Sequence, residues 1–372
     1  MFVKEKKVEL IELFYDLIFV FAISQLTSLL SEPVNGFIPF INFFEYLITS
    51  FVILQAWLYF TNYVNRYCEW KWYDYLIICI NMIAVIYMAN MISLDWRPMY
   101  LGFDVAMFVI LLTIGILYSI HIKRDSENAG AARNTVKNLV VVCSIYIIGI
   151  LCCIFRQWDY VALINVSAIL TGAFLPFFIK GDFDESIISF PHLVERFELL
   201  TIITFGEAIV GMTHFFKTDS IDLIPILIFF IVLTMFGAYI VQIHRLMNHK
   251  RVERSLRLMF SHYFIVISIN LVTVSFELLS NGNVNHIFLC SLIILSLVLF
   301  YVSLLVNKAY YKENFSLTKK DIGIMVLMFL IGSSIMFIFL KDFYAFLIGN
   351  FIITLGIFEL LLTKYKRSLS NS

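Results

Sequence analysis

The sequence predicts an all-α polytopic membrane bundle of about twelve transmembrane helices. Three observations lead there. The 372 residues are 61% hydrophobic and 15% charged, with a mean hydropathy of +0.89, more apolar surface than a soluble chain of this length buries. Twelve apolar runs reach the ~20 residues that cross ~30 Å of hydrocarbon at 1.5 Å per residue. Finally, Lys and Arg alternate between heavy and light loops along the chain, as the positive-inside rule requires of a correct helix count.

The runs follow in order, each bounded by charge. The first, 9–31, comes after Lys4, Lys6 and Lys7. That basic start has the look of a signal n-region, yet Glu12, Asp16 and the lack of a small-residue cleavage site predict a retained helix. Run 38–65 closes on Arg66 and Lys71, 72–94 stops before Arg97, and 98–121 leads to Lys123 and Arg124. Runs 137–155 and 158–180 are separated by Arg156, and the latter ends at Lys180. Lys217 separates 190–215 from 221–245, which runs into Arg245, Lys250, Arg251 and Arg254. Run 256–280 opens at Arg257, 285–307 ends at Lys308 and Lys312, 321–341 follows Lys319 and Lys320, and 343–365 ends at Lys364, Lys366 and Arg367.

With the amino terminus in the cytoplasm, 22 of the 27 Lys and Arg residues lie inside, as do both termini. The outer loops keep Arg97, Arg156, Lys217 and Lys341, and Arg196 sits within the seventh run. The loop from Lys180 to Ser189 runs against the trend with Asp182, Asp184 and Glu185, but acids weigh little in this rule. A formal net charge of zero gives no basic field for nucleic acid, which is excluded as a partner.

A cut near residue 186 divides the chain into two six-helix halves, 1–186 and 187–372. Glu12-Leu13-Phe14 with Leu17 aligns with Glu195-Arg196-Phe197 with Leu200 at an offset of 183, and Ser24 falls opposite Glu207. Six helices per half make both halves start inside, so the repeat is expected to be parallel, with a binding site between the halves.

The chemistry is expected in the first and seventh helices, because charge in hydrocarbon costs at least ~2.5 kcal/mol and is retained for pairing, wet cavities or ion handling. Glu12 and Asp16 are four residues apart and stack on one face of the first helix. In the seventh, His192, Arg196, Glu207 and His214 fall within about 60° of one another on a helical projection, while Glu195 and Glu198 add two more acids. Arg196 lies at a depth similar to Asp16, which predicts an ion pair between the two helices. Glu207 is roughly 16 Å further along the axis, out of Arg196's reach, and there a carboxyl is protonated, binds a cation or faces water. Gly206 and Gly211 predict either a close helix neighbour or local unwinding. Asp104, alone in the fourth run, is a secondary candidate. Asn65 and Arg66 read as interface anchors.

Cys68, Cys79, Cys143, Cys152, Cys153 and Cys290 show no CxxC pair and read as small buried hydrophobes. His192, His214, His244 and His262 are too scattered for a metal site, so neither a metal nor a cofactor is expected. Walker, GxGxxG, HExxH and GxSxG signatures are missing, so no soluble-type enzyme is predicted.

Glu12-Leu-Phe-Tyr-Asp16-Leu-Ile-Phe-Val-Phe-Ala22, Pro191-His-Leu-Val-Glu195-Arg-Phe-Glu-Leu-Leu-Thr-Ile-Ile-Thr-Phe-Gly206-Glu207 and Thr61-Asn-Tyr-Val-Asn65-Arg66 together resemble the low temperature requirement A family of bacterial membrane proteins. Two positions depart from it: Glu198 stands where the family usually has a small residue, and Tyr67-Cys68 where an acid usually follows the arginine. The resemblance implies a multi-pass protein of the bacterial cytoplasmic membrane, without an agreed substrate. The residues themselves favour a secondary transporter, coupled to a proton or cation, with lipids and an unknown small molecule or ion as partners. A channel, and an intramembrane lipid-acting enzyme or membrane-state sensor, remain the alternatives, and the oligomeric state is left open.

Overall fold

Hydrocarbon leaves a spanning backbone no water to bond, so each run must close its own N–H to C=O ladder. The computed structural model describes residues 6–93, 96–126, 129–178, 187–216, 223–250, 255–313 and 315–370. Lys4, Lys180, Lys217, Arg251 and Arg254, the acids Asp182, Asp184 and Glu185, and the expected boundary near residue 186 lie outside the described residues.

Twelve helices follow in order: α1 (Leu10–Gln25), α2 (Phe40–Tyr67), α3 (Trp72–Asn90), α4 (Trp96–Arg124), α5 (Gly130–Ile154), α6 (Trp158–Phe178), α7 (Phe190–Met212), α8 (Leu223–Ile240), α9 (Leu256–Asn281), α10 (His286–Val306), α11 (Lys319–Ile338) and α12 (Phe343–Ser370). No named strand occurs among the described residues. Among the described residues, eleven helical segments are long and apolar enough to cross a membrane. The exception is α7, which carries Glu195, Arg196, Glu198 and Glu207.

Several boundaries differ from the hydropathy runs for one reason: hydropathy marks the stretch that sits in hydrocarbon, and a helix continues into water where charge suits it. Thus α5 starts at Gly130, ahead of Arg133 and Lys137, and α12 continues past Lys364 and Arg367 to Ser370. The first run is not one α-helix, since after Gln25 it tightens into a 3-10 turn over Leu26–Leu30. Ends are capped by side chains where the sequence supplies them. Asn285 accepts from the N–H groups of Ile287 (2.9 Å) and Phe288 (3.2 Å), Thr318 and Asp321 form a reciprocal box at the start of α11, and α9 stops at Gly282 with φ +66°.

The chain folds as two compact units, one built on Met1–Leu29 and Ile41–Arg196, the other on Leu30–Phe40, Phe197–Lys250 and Ser255–Ser372. In the first, α1 packs on α3, and α3, α4, α5 and α6 pack in sequence. Polar ties fix these pairs. Tyr15 donates to Asn81 Oδ1 (3.0 Å), and Asn81 donates to the Ile110 carbonyl (3.0 Å) and Thr113 Oγ1 (2.7 Å), joining α1, α3 and α4. Tyr59 of α2 donates to the Gly172 carbonyl of α6 (2.8 Å). Outward faces such as Val140, Ile147, Ile148 and Leu151 of α5 stay exposed, as lipid contact requires.

In the second unit α9 packs on α10, α11 on α12, and α8 on α12, with Thr234 donating to Thr354 Oγ1 (2.8 Å). The α11–α12 crossing depends on two glycines. A Cβ at Gly332 would lie 2.4 Å from the Gly349 carbonyl oxygen, and one at Gly349 would lie 2.6 Å from that of Gly332. Backbone cannot yield there as a side chain can. Gly349→Val is therefore expected to lower stability by about 1–3 kcal/mol, the cost of overpacking, read as a fall in thermal midpoint in detergent. An equal substitution at Gly323, which has open space around it, should leave that midpoint unchanged.

Candidate functional site

The site grows from the amino end of α1. Glu12 is the third residue of that helix, and its carboxylate accepts the Glu9 N–H (3.1 Å), closing a capping box. The helix N-terminus favours negative charge there. One turn on, Asp16 points the same way, as the four-residue spacing requires.

Both carboxylates meet Arg196, from the second turn of α7. Its Nε donates to Asp16 Oδ2 (3.0 Å) and its Nη2 to Asp16 Oδ1 (2.5 Å), a two-pronged contact, while Nη1 donates to Glu12 Oε2. Arg196 pairs with both acids, so the ion pair expected between the two helices is a triad. Trp57 of α2 completes the cage. Its indole N–H donates to Asp16 Oδ1 (2.6 Å), and its ring lies 5.4 Å from the Arg196 guanidinium carbon, within cation–π range. Glu12, Asp16, Trp57, His192 and Arg196 are all 0% exposed.

His192 joins through a bond that fixes its protonation. Asn65 of α2 is clamped by the Ser189 backbone: its Nδ2 donates to the Ser189 carbonyl (2.8 Å) and its Oδ1 accepts the Ser189 N–H (3.2 Å). The amide orientation is thereby set, and Nδ2 also faces His192 Nδ1 at 3.0 Å. Nδ1 must accept, so the proton sits on Nε2, which donates to Glu12 Oε2 at 3.1 Å. His192 is neutral in this arrangement.

The remaining candidates from the sequence scatter. Glu195 is exposed, about 100° around α7 from Arg196. Glu198 is half-buried, its Oε1 3.4 Å from Nδ1 of His244. Glu207 is half-buried and, among the described residues, has no hydrogen bond or ion pair. The α-helix ends at Met212, and His214 follows in the 3-10 turn Thr213–Phe215, whose ~120° per residue displaces it only about 40° from its helical projection. His214 is exposed and donates from Nδ1 to the Gly211 carbonyl (2.7 Å). Asp104 lies on α4 in separate surroundings.

The two glycines of α7 also divide. Gly206 has nothing within 4 Å of an added Cβ and the helix runs through it unbroken, whereas Gly211 meets Thr273 Cγ2 at 2.9 Å and Glu277 Oε1 at 3.6 Å on α9. Close packing is therefore at Gly211 alone.

Four contributors escaped sequence reading. Asn65 reads as an interface anchor yet is fully buried on His192 and Ser189. Trp57 is one aromatic among many, and Ser189 acts through its backbone, so neither carries a signal. Glu277 does: it is the one acid in the long apolar α9. Around the site, burial pushes the Cys68 thiol up to about 12, which keeps it an unreactive thiol at the end of α2.

Residues 7–356 match the family described as bacterial low temperature requirement A protein. The chain belongs to that family. No curated protein matches it. The matched region contains every residue of the triad, so the cluster belongs to the part of this low temperature requirement A protein that its family defines.

Removing one partner of a buried ion cluster leaves a stranded charge. Arg196→Leu is expected to cost about 3–5 kcal/mol, read as loss of folded protein or a lowered thermal midpoint in detergent. Arg196→Lys should fail to restore it, because an ammonium cannot span Asp16 and Glu12 with the guanidinium's fork. The Asn65 clamp has its own readout: the ¹⁵N shift of His192 Nδ1 should report an unprotonated acceptor in the wild type and mixed tautomers in Asn65→Leu.

Proposed function

We propose that this protein is a secondary transporter of the bacterial cytoplasmic membrane, coupled to a proton or another monovalent cation, with both termini in the cytoplasm. The observation that carries the reading is the charge of the buried cluster. Arg196 brings one positive charge to the two carboxylates of Glu12 and Asp16, and Asn65 holds His192 neutral. One negative charge is left over among side chains with no exposure. Neutral donors from Trp57, His192 and the Glu9 backbone hold it in place.

A cation entering this cluster cancels the excess, and every way of admitting it changes the pairing. A proton on His192 Nδ1 turns the acceptor of the Asn65 contact into a second donor, opposing the tie between α2 and the start of α7. A proton on Glu12 weakens its bond to Arg196. Uptake of charge is thus linked to how α1, α2 and α7 hold together, which is the differential interaction that a conformational cycle needs. In this reading Glu207 is the coupling carboxylate further along the same helix, with open space beside it at Gly206 and Glu277 of α9 facing Gly211 one turn beyond.

Part of the internal packing is compatible with a six-helix repeat. Each unit pairs its third helix with its fourth and its fifth with its sixth, and each brings its second against its sixth, at Tyr59–Gly172 in one and Thr234–Thr354 in the other. Lys and Arg sorting supports the orientation. The partners are membrane lipids and an unidentified small molecule or ion, with no enzymatic step.

The test is proton flux in liposomes that enclose a pH dye and carry a potassium diffusion potential. Wild type should conduct protons, and Glu207→Gln and Asp16→Asn should reduce flux to the level of empty liposomes. Full coupled flux in Glu207→Gln would remove Glu207 from the coupling role. Unitary current steps in a planar bilayer would replace the carrier with a channel, and new lipid products on incubation would replace it with an enzyme.

A further inference from the structure

Another buried carboxylate stands in the first unit, outside the Arg196 cluster. Asp104 of α4 is 0% exposed, and neither of its oxygens has a hydrogen-bond partner of normal geometry. Beside it, α5 has Gly149, where an added Cβ would lie 2.7 Å from Asp104 Oδ2 and 3.6 Å from Asn165 Oδ1 of α6. The missing side chain leaves a small space that both oxygens border. Asn165 Oδ1 is itself buried and without a partner.

The surroundings offer this carboxylate no positive charge. The titratable groups that face it or its immediate neighbours are Tyr100 on its own helix, Glu45 of α2 beside Tyr100, and Tyr146 and Cys153 of α5. All are acids, and Glu45 Oε2 is a further buried oxygen with no partner. The other neighbour of α4, helix α3, brings no titratable group to Asp104 among the described residues. An ionised Asp104 would therefore be a buried charge with no counter-ion and only the Asn165 amide to meet it, a costly arrangement in an apolar interior. Asp104 Oδ1, Asp104 Oδ2 and Asn165 Oδ1 are three acceptors short of hydrogen, and one added proton supplies the bond that links the two side chains.

We propose that Asp104 is a proton-binding site of the first unit, separate from the α1–α7 cluster, whose carboxyl hydrogen is shared with Asn165 Oδ1 across the space at Gly149. Its protonated form is the resting one. Part-exposed Glu45, together with Tyr100 one turn before Asp104, marks the side from which the proton exchanges. This site does not rest on the transporter reading. It stands on the local shortage of donors whether or not the protein carries a substrate.

The experiment is infrared difference spectroscopy of the purified full-length protein in lipid nanodiscs, titrated in pH without sodium and then with sodium chloride added. Wild type should show the carbonyl band of a protonated carboxyl at neutral pH that disappears on alkaline titration. That band should be absent in Asp104→Asn, shifted to higher frequency in Asn165→Leu as its hydrogen-bond acceptor is lost, and present in Glu12→Gln. Sodium should leave it unchanged. A spectrum with no such band, a band that survives Asp104→Asn, or one that sodium abolishes at constant pH would overturn the proposal, the last by making the site a metal-cation site. If Asp104→Asn does not fold, Asn165→Leu decides: an unshifted band there means the proton is not at Asp104.

Discussion

Arg196 is the most demanding side chain in the chain, a guanidinium with no exposure in a protein built for lipid. An effective desolvation penalty of several kcal/mol per ion falls on it and on each carboxylate that answers it. Only a complete cage makes such burial tolerable. That need explains why α1 carries two acids one turn apart, why one of them sits at a helix amino end, and why an indole on α2 covers the guanidinium face while donating to Asp16. It also explains Asn65 and Ser189, which act on the cluster through His192. A well-packed apolar core would be at least as stable, so the cluster's worth is in specificity: it fixes which turns of α1, α2 and α7 meet.

The contrast with the second unit sharpens this. There His262 is also buried, with Nδ1 donating to the Leu258 carbonyl (2.8 Å) and Nε2 accepting from the Tyr239 hydroxyl (3.1 Å), while Ser261 donates to Asn307 Oδ1 (3.0 Å). Every member is neutral and paired, which is the form a purely structural polar network takes. The α1–α7 cluster is paired but not neutral, and Asp104 is neither paired nor balanced. Burial alone does not separate these three arrangements. The residual charge and the missing hydrogen do.

Much of the fold was legible because hydrocarbon imposes one length and one solution. Apolar runs gave twelve helices with few errors, and those errors lie where the chain leaves the membrane: the aqueous start of α5, the tail of α12, and the 3-10 turns after Gln25 and Met212. The site was legible as a set of residues wherever spacing along one helix decided it, as with Glu12 and Asp16 or His192 and Arg196. It was not legible where contact joined positions some 180 residues apart, since depth alone allows Arg196 either acid or both. Trp57 and Ser189 were hidden for a further reason: an indole N–H and a backbone amide look the same in sequence whether or not they serve a charge.

Helix α7 carries this argument one step further. Its first two turns belong to the first unit and the rest, from Phe197, to the second, yet Phe190–Met212 is one unbroken helix. A helix is stiff over such a length, because its hydrogen bonds resist local change. Arg196, bonded to both acids, therefore stands on the same rod as Glu198 and Glu207. Gly211 packs closely on α9, whereas Gly206, beside Glu207, has free space around it. The rod is thus held at Arg196 by charge, at Gly211 by contact and between them by the buried side chains of Phe197, Leu200, Phe205 and Ala208, while the unpaired carboxylate of Glu207 lies on a less covered side of the same helix.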